Sequence, residues 1–135
     1  MQPLNTKHAA ILDALTFGMG DENPHRRIDN RPGTYMAVVV EKIGPCRYSV
    51  AHYYEHNGDL IADPDVEFVR QHVGWYPIAI SQPMGHRYVA QTDYQGKIVS
   101  VDQRAYRDLR RFAGTLLTNI RAQQGDLSVN AGTVG

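Results

Sequence analysis

The sequence predicts an α+β fold, an antiparallel meander of four to five strands with an N-terminal and a C-terminal helix packed on it. Three observations predict it. Apolar residues recur at helical spacing near both ends of the chain. Between those ends, short β-branched and aromatic runs alternate with tight-turn dipeptides. No helical pattern long enough for a parallel crossover separates those runs.

The first helix follows from residues 6 to 17. Asn5 and Thr6 suit its N-terminal cap. His8, Ile11, Leu12, Leu15 and Met19 then repeat on one face, and Gly18 and Gly20 end it. Gly20 to Gly33 is polar and carries two prolines, so it reads as a long loop. Its His25, Arg26, Arg27 and Arg31 invite an anion, but a solvated loop balanced by Asp21, Glu22 and Asp29 is the better reading.

Residues 35 to 41 and 47 to 55 read as strands joined at Gly44-Pro45. Asn57-Gly58 marks a hairpin turn and Asp63-Pro64 a second break. Further strands are expected over 66–71, 75–81, 87–92 and 98–101. Pro77 places its strand at an edge or a bulge. The tyrosines along these strands read as cross-strand packing rather than a stacking platform. Asp102 then caps a second helix with the stripe Tyr106, Leu109, Ala113, Leu116, Leu117 and Ile120, and Gly125 stops it. A single domain over 1–125 with a loosely held tail over 126–135 is the expected organisation.

The composition limits the function. The chain has 135 residues, 14 basic and 14 acidic. A neutral balance disfavours a duplex nucleic-acid binder and leaves self-association, such as a homodimer, open. Cys46 is the single cysteine, so no intrachain disulfide forms, and it reads as a small half-buried filler. No signal-peptide pattern and no apolar run of membrane length is visible, so a cytoplasmic protein without membrane contact is expected.

Two regions carry the candidate chemistry. One is the polar block with His52, Tyr54, Glu55, Asn57, Gly58, Asp59, Asp63 and Asp65, extending to Glu67. His52 and His56 have the four-residue spacing of a helical zinc pair, but a strand sets them about 13 Å apart. Asp63, Asp65 and Glu67 alternate and could project together as oxygen ligands. The preferred reading is architectural: a strand and a turn, with Asp59 and Asp63 binding nearby amides and His52 or Tyr54 a core residue whose polar atom is satisfied. No catalytic residue, metal or cofactor is assigned. The other region is the basic side of the last helix, Arg104, Arg107, Arg110 and Arg111, with Arg121 beyond them. The apolar stripe opposite predicts that these arginines are mostly exposed and available to an acidic partner.

The run His52-Tyr53-Tyr54-Glu55-His56-Asn57-Gly58-Asp59-Leu60, then Asp63-Pro64-Asp65, Phe68 and Trp75-Tyr76-Pro77, resembles a bacterial domain family of unknown function. Its members show a His-Tyr-x-Glu-Gln-Asn-Gly-Asp-Leu block, and His56 here replaces the usual glutamine. The ending Phe112-Ala113 and Asn119 to Gly125 is similar to that family's closing helix. The resemblance implies cargo of plasmids and integrative mobile elements, hence an interaction or anti-defence protein, and implies no catalytic residues. A non-enzymatic protein-binding module is therefore the expected function. The competing readings are a small metal-dependent hydrolase or nuclease built on the His52–Glu67 block, and a weak nucleic-acid binder with a steep salt dependence.

Overall fold

Asn5 opens the first helix as expected: its side-chain oxygen accepts a hydrogen bond from the His8 amide at 2.8 Å. This helix, α1, spans Thr6–Thr16 and buries Ile11, Leu12 and Leu15. The computed structural model describes residues 1–29 and 37–124, and every side chain among them except those of Glu55, His56 and Leu60. The expectations for Arg31, Tyr35, Gly125 and the tail over 126–135 lie outside the described residues.

Eight strands follow among the described residues: β1 His25–Ile28, β2 Ala37–Gly44, β3 Arg47–His56, β4 Asp59–Gln71, β5 Gly74–Gln82, β6 Gly85–Tyr88, β7 Ala90–Thr92 and β8 Ile98–Val101. The first six form one antiparallel sheet in sequence order, and β7 pairs with β8 in a small second sheet. The α+β antiparallel expectation holds, while the count of four to five strands is too low. The extra edge strand is β1, inside the segment read as a loop. Its short burial alternation, Arg26 and Ile28 inward against His25 and Arg27 outward, is hidden among charges. The single run expected over 87–92 also divides at Val89. That residue donates to the Ile78 carbonyl at 2.8 Å and sends the chain from one sheet to the other.

Turns account for the meander. Asn57 and Gly58 have φ of 51° and 85°, the left-handed pair that a two-residue hairpin needs. Pro45 and Cys46 make the preceding turn, with Cys46 at φ 58° and exposed, not a half-buried filler. The break expected at Asp63-Pro64 is absent: β4 runs straight through it. A register shift between β3 and β4 there places an extra residue on β4, and a bulge of that kind tolerates a residue without an amide proton. Pro77 sits in an interior strand beside a second shift, so the bulge alternative is the correct one.

The two sheet faces differ in character. Val40, Val50, Val66 and Ile80 are successive cross-strand partners; the three valines belong to the hydrophobic core, and the partly buried Ile80 packs against it. The second helix, α2 Gln103–Gln124, covers this face through β5, and α1 packs on both. Asp102 caps α2 by accepting from the Ala105 amide at 3.1 Å. Its stripe Tyr106, Leu109, Ala113, Leu116, Leu117 and Ile120 is buried throughout. On the opposite face, the rows Glu41, Ser49, Glu67, Ala79, Tyr88 and Val39, Ala51, Asp65, Ser81, His86 run across the strands. Several tyrosines serve packing, as in the edge-to-face contact of Tyr48 with Trp75 at 5.4 Å.

Candidate functional site

The structure takes the polar block apart. His52 lies in the interior at 4% exposure, whereas Asp65 and Glu67 stand on the opposite sheet face. Asn57, Gly58 and Asp59 are at the far hairpin, and Tyr54 and Asp63 are only partly buried. The Glu55 side chain lies outside the described ones. Among the described residues, no three His, Cys, Asp or Glu side chains gather into a metal-binding group. Asp65 accepts from the Ser49 hydroxyl at 2.5 Å and Glu67 pairs with Arg47 at 2.7 Å, so both have local partners. Burial holds the Asp65 carboxyl above its ordinary range, with the Ser49 hydroxyl pulling the other way. Asp59 and Asp63 accept no hydrogen bond among the described residues, which corrects their expected role as turn anchors.

His52 corrects a further expectation: it is a core residue, but its buried Nε2 has no hydrogen-bond partner among the described residues. Burial pushes its pKa below the ordinary 6.5, and the same cause, followed by Lys7 and Arg110, lowers that of His8. The unfolded chain therefore binds these protons at a higher pH than the folded chain does. The stability they support is complete above 6.5 and is lost as the pH falls through the window beneath it. Asp65 works in the opposite sense, since its raised pKa makes its contribution fall as the pH climbs above 3.8. We expect urea-unfolding stability to decline from about pH 7 to about pH 5. The decline should be shallower in His52→Leu, which removes the buried titrating ring. Parallel wild-type and variant profiles would disprove this.

A different site emerges where the N-terminal segment and α1 meet α2. Leu4 donates its amide to the Trp75 carbonyl at 2.8 Å, Tyr106 donates its hydroxyl to the Gln2 carbonyl, and Arg110 Nε donates to the Pro3 carbonyl at 2.8 Å. These bonds strap residues 2–4 against the core. Further along, the His8 ring rests on Gly114, where a β-carbon would come within 2.5 Å of the ring. His8 Nε2 also meets the Thr118 hydroxyl at 3.2 Å. The glycine thus sets how closely α1 approaches α2.

The result is a cleft of about 720 Å³. Arg107, Arg110 and Arg111 line it together with Asn5, Thr115 and Asn119, and among the described residues no aspartate or glutamate does. The three arginines sit at i, i+3 and i+4, the helical spacing that makes side chains neighbours. Arg107 and Arg111 are exposed; Arg110 is half-buried by its bond to Pro3, contrary to the expectation that all three are mostly exposed. Arg104 is exposed but lies outside the cleft lining.

The remaining arginines among the described residues make the contrast plain. Arg27, Arg47, Arg70 and Arg87 each have a carboxylate within 4.0 Å, at Asp29, Glu67, Asp13 and Asp102. Arg26, read in the sequence as part of a candidate anion loop, is buried and donates to the Leu15 and Phe17 carbonyls at 2.8 and 2.5 Å, closing the end of α1. The arginines of α2 have no carboxylate partner among the described residues. Like charges one turn apart oppose the helix by about 0.2–0.5 kcal/mol per pair, and the single acid among them, Asp108, makes no ion pair within 4.0 Å with them among the described residues. Sequence reasoning found the arginines from their helical face. It missed His8 as a wall of the site, Gly114 as its close crossing and the strap over residues 2–4, because each depends on contacts between the two ends of the chain.

The fold and the cleft describe an α+β domain with a concave cationic surface at a helix–helix junction. The chain belongs to the family described as a domain of unknown function (DUF6908), whose model matches residues 8–125. No curated protein and no solved structure matches it. No helix among the described residues is long and apolar enough to cross a membrane.

Proposed function

We propose that this chain is a non-enzymatic binding module that receives an acidic protein partner on the arginine face of α2. One observation carries the reading. Among the described residues, and apart from the buried Arg26, the α2 arginines are the ones without a carboxylate within 4.0 Å, and three of them line a cleft with no acidic residue in its lining. Charges left uncompensated at a concave surface attract an opposite charge from outside and steer its approach. The motif from His52 to Leu60 supports placing the protein among accessory proteins of bacterial mobile elements.

The test uses a fluorescein-labelled oligo-glutamate peptide. The wild-type chain is expected to bind it. Binding should weaken by about tenfold or more in Arg107→Glu/Arg111→Glu, equivalent to at least about 1.4 kcal/mol. The circular dichroism spectrum and melting temperature of that variant should stay near wild type, because both side chains are exposed. Unfolding of the variant would make these arginines structural. Tighter binding of duplex DNA than of the peptide, with a steep loss of affinity as salt rises, would replace the protein partner with nucleic acid.

A further inference from the structure

We infer that the cleft between α1 and α2 is a binding site for a phosphate monoester, with the dianionic phosphoryl group held by Arg107, Arg110 and Arg111. The inference rests on the reading of α2 as an anion-recognition face and narrows the group that is recognised.

Charge favours a dianion. Arg107, Arg110 and Arg111 line the cleft, and among the described residues no aspartate or glutamate does. Burial, Lys7 and Arg110 all hold His8 toward its neutral form, so the ring adds little positive charge at neutral pH. A single carboxylate would offset one of three positive charges, whereas a phosphomonoester carries close to two near neutral pH.

Donor geometry also favours a phosphoryl group. A guanidinium presents a planar fork of N–H donors that matches phosphate oxygens in pairs. The bond from Arg110 Nε to the Pro3 carbonyl fixes that side chain while leaving its terminal nitrogens without a protein partner among the described residues. One of the three arginines is thus already positioned before any ligand arrives, which lowers the ordering cost of binding. Thr115 and Asn119, one turn further along the lining, add neutral hydrogen-bonding groups of the kind that surround bound oxyanions.

Size favours an ester over a bare ion. A cleft of about 720 Å³ falls within the range of small-molecule pockets and far exceeds one phosphoryl group. The ester's organic body therefore has room along the wall that Asn5 and His8 provide. A bare inorganic ion would leave most of the space to water.

Isothermal titration of the full chain tests this with phenyl phosphate, a nucleoside monophosphate, a phosphotyrosine peptide and, as an isosteric monoanion, phenyl sulfate. At least one phosphomonoester is expected to bind with one-to-one stoichiometry and about tenfold or more tighter than phenyl sulfate. That affinity should fall about tenfold or more in Arg107→Ala and again in Arg111→Ala. Preference for the phosphopeptide would place the ester on a partner protein, and preference for phenyl phosphate or the nucleotide would place it on a small molecule; both support the phosphate site. Equal affinity for sulfate and phosphate, or binding unchanged in both arginine variants, overturns it. Failure of every phosphomonoester while the oligo-glutamate peptide still binds overturns the inference and leaves the acidic-partner reading standing. Failure of both ligand classes overturns both.

Discussion

Replacing Trp75 with alanine is expected to destabilise the protein by about 3–5 kcal/mol, the range for truncating a large buried aromatic. Trp75 is 2% exposed and ranks among the largest fully buried side chains. Its ring meets Tyr48 edge to face, and its Nε1 donates to Asp13 Oδ1 of α1 at 2.9 Å. Its carbonyl accepts the Leu4 amide that holds the N-terminal strap. One residue of β5 therefore ties the sheet to both α1 and the segment that walls the cleft. Trp75→Phe should recover part of the packing but not the bond to Asp13, and so fall between the two. Chemical denaturation of the three proteins measures the order. A loss below about 1 kcal/mol for the alanine variant would contradict the packing described.

The second large effect is expected at Arg26. Arg26→Met keeps an apolar stem of similar length but removes the donors to the Leu15 and Phe17 carbonyls. Those carbonyls belong to the end of α1, where backbone acceptors have no helical partner of their own. A cation there also complements the negative end of the helix. Losing these bonds should cost about 2–4 kcal/mol, two charge-assisted hydrogen bonds being worth roughly 1.5–3 each before relaxation and water access return a part. Amide exchange should accelerate first in α1, since the lost contacts are local to it. Uniform acceleration through the sheet, or no loss of stability, would refute the assignment of Arg26 as the lock on this helix. Burial lowers the Arg26 pKa, yet a guanidinium keeps its charge across the whole pH range of such an experiment.

Both helices were legible in the sequence because their apolar stripes and N-terminal caps, and the Gly18 that follows α1, are local and agree with one another. The Asn57-Gly58 hairpin was legible for the same reason, a turn needing positive φ being written in the residues that make it, whereas the turn read at Gly44-Pro45 has its positive φ at Cys46, a residue type that carries no such signal. β1 was not legible, since four residues among charges carry too little pattern to announce a strand. The run through Asp63-Pro64 was misread because the bulge that accommodates the proline exists only once β3 lies alongside. The polar block illustrates the same limit. Adjacency in sequence suggested one site, but the alternation of a strand sends neighbouring side chains to opposite faces, so His52 entered the core and Asp65 did not.

The sequence by itself determined the fold class, the antiparallel order of the strands and the arginine face of α2. Each of these follows from spacing within a single element or from the turn between two. Only the tertiary structure decided that the arginines face a cleft. That cleft needs residues 2–4 and His8 from one end of the chain against residues 103–119 from the other. Its depth depends on Gly114, whose missing side chain lets the His8 ring lie against α2. Contacts across roughly a hundred residues of chain leave no periodic trace in either partner, because each side chain answers to a neighbour that folding alone brings near.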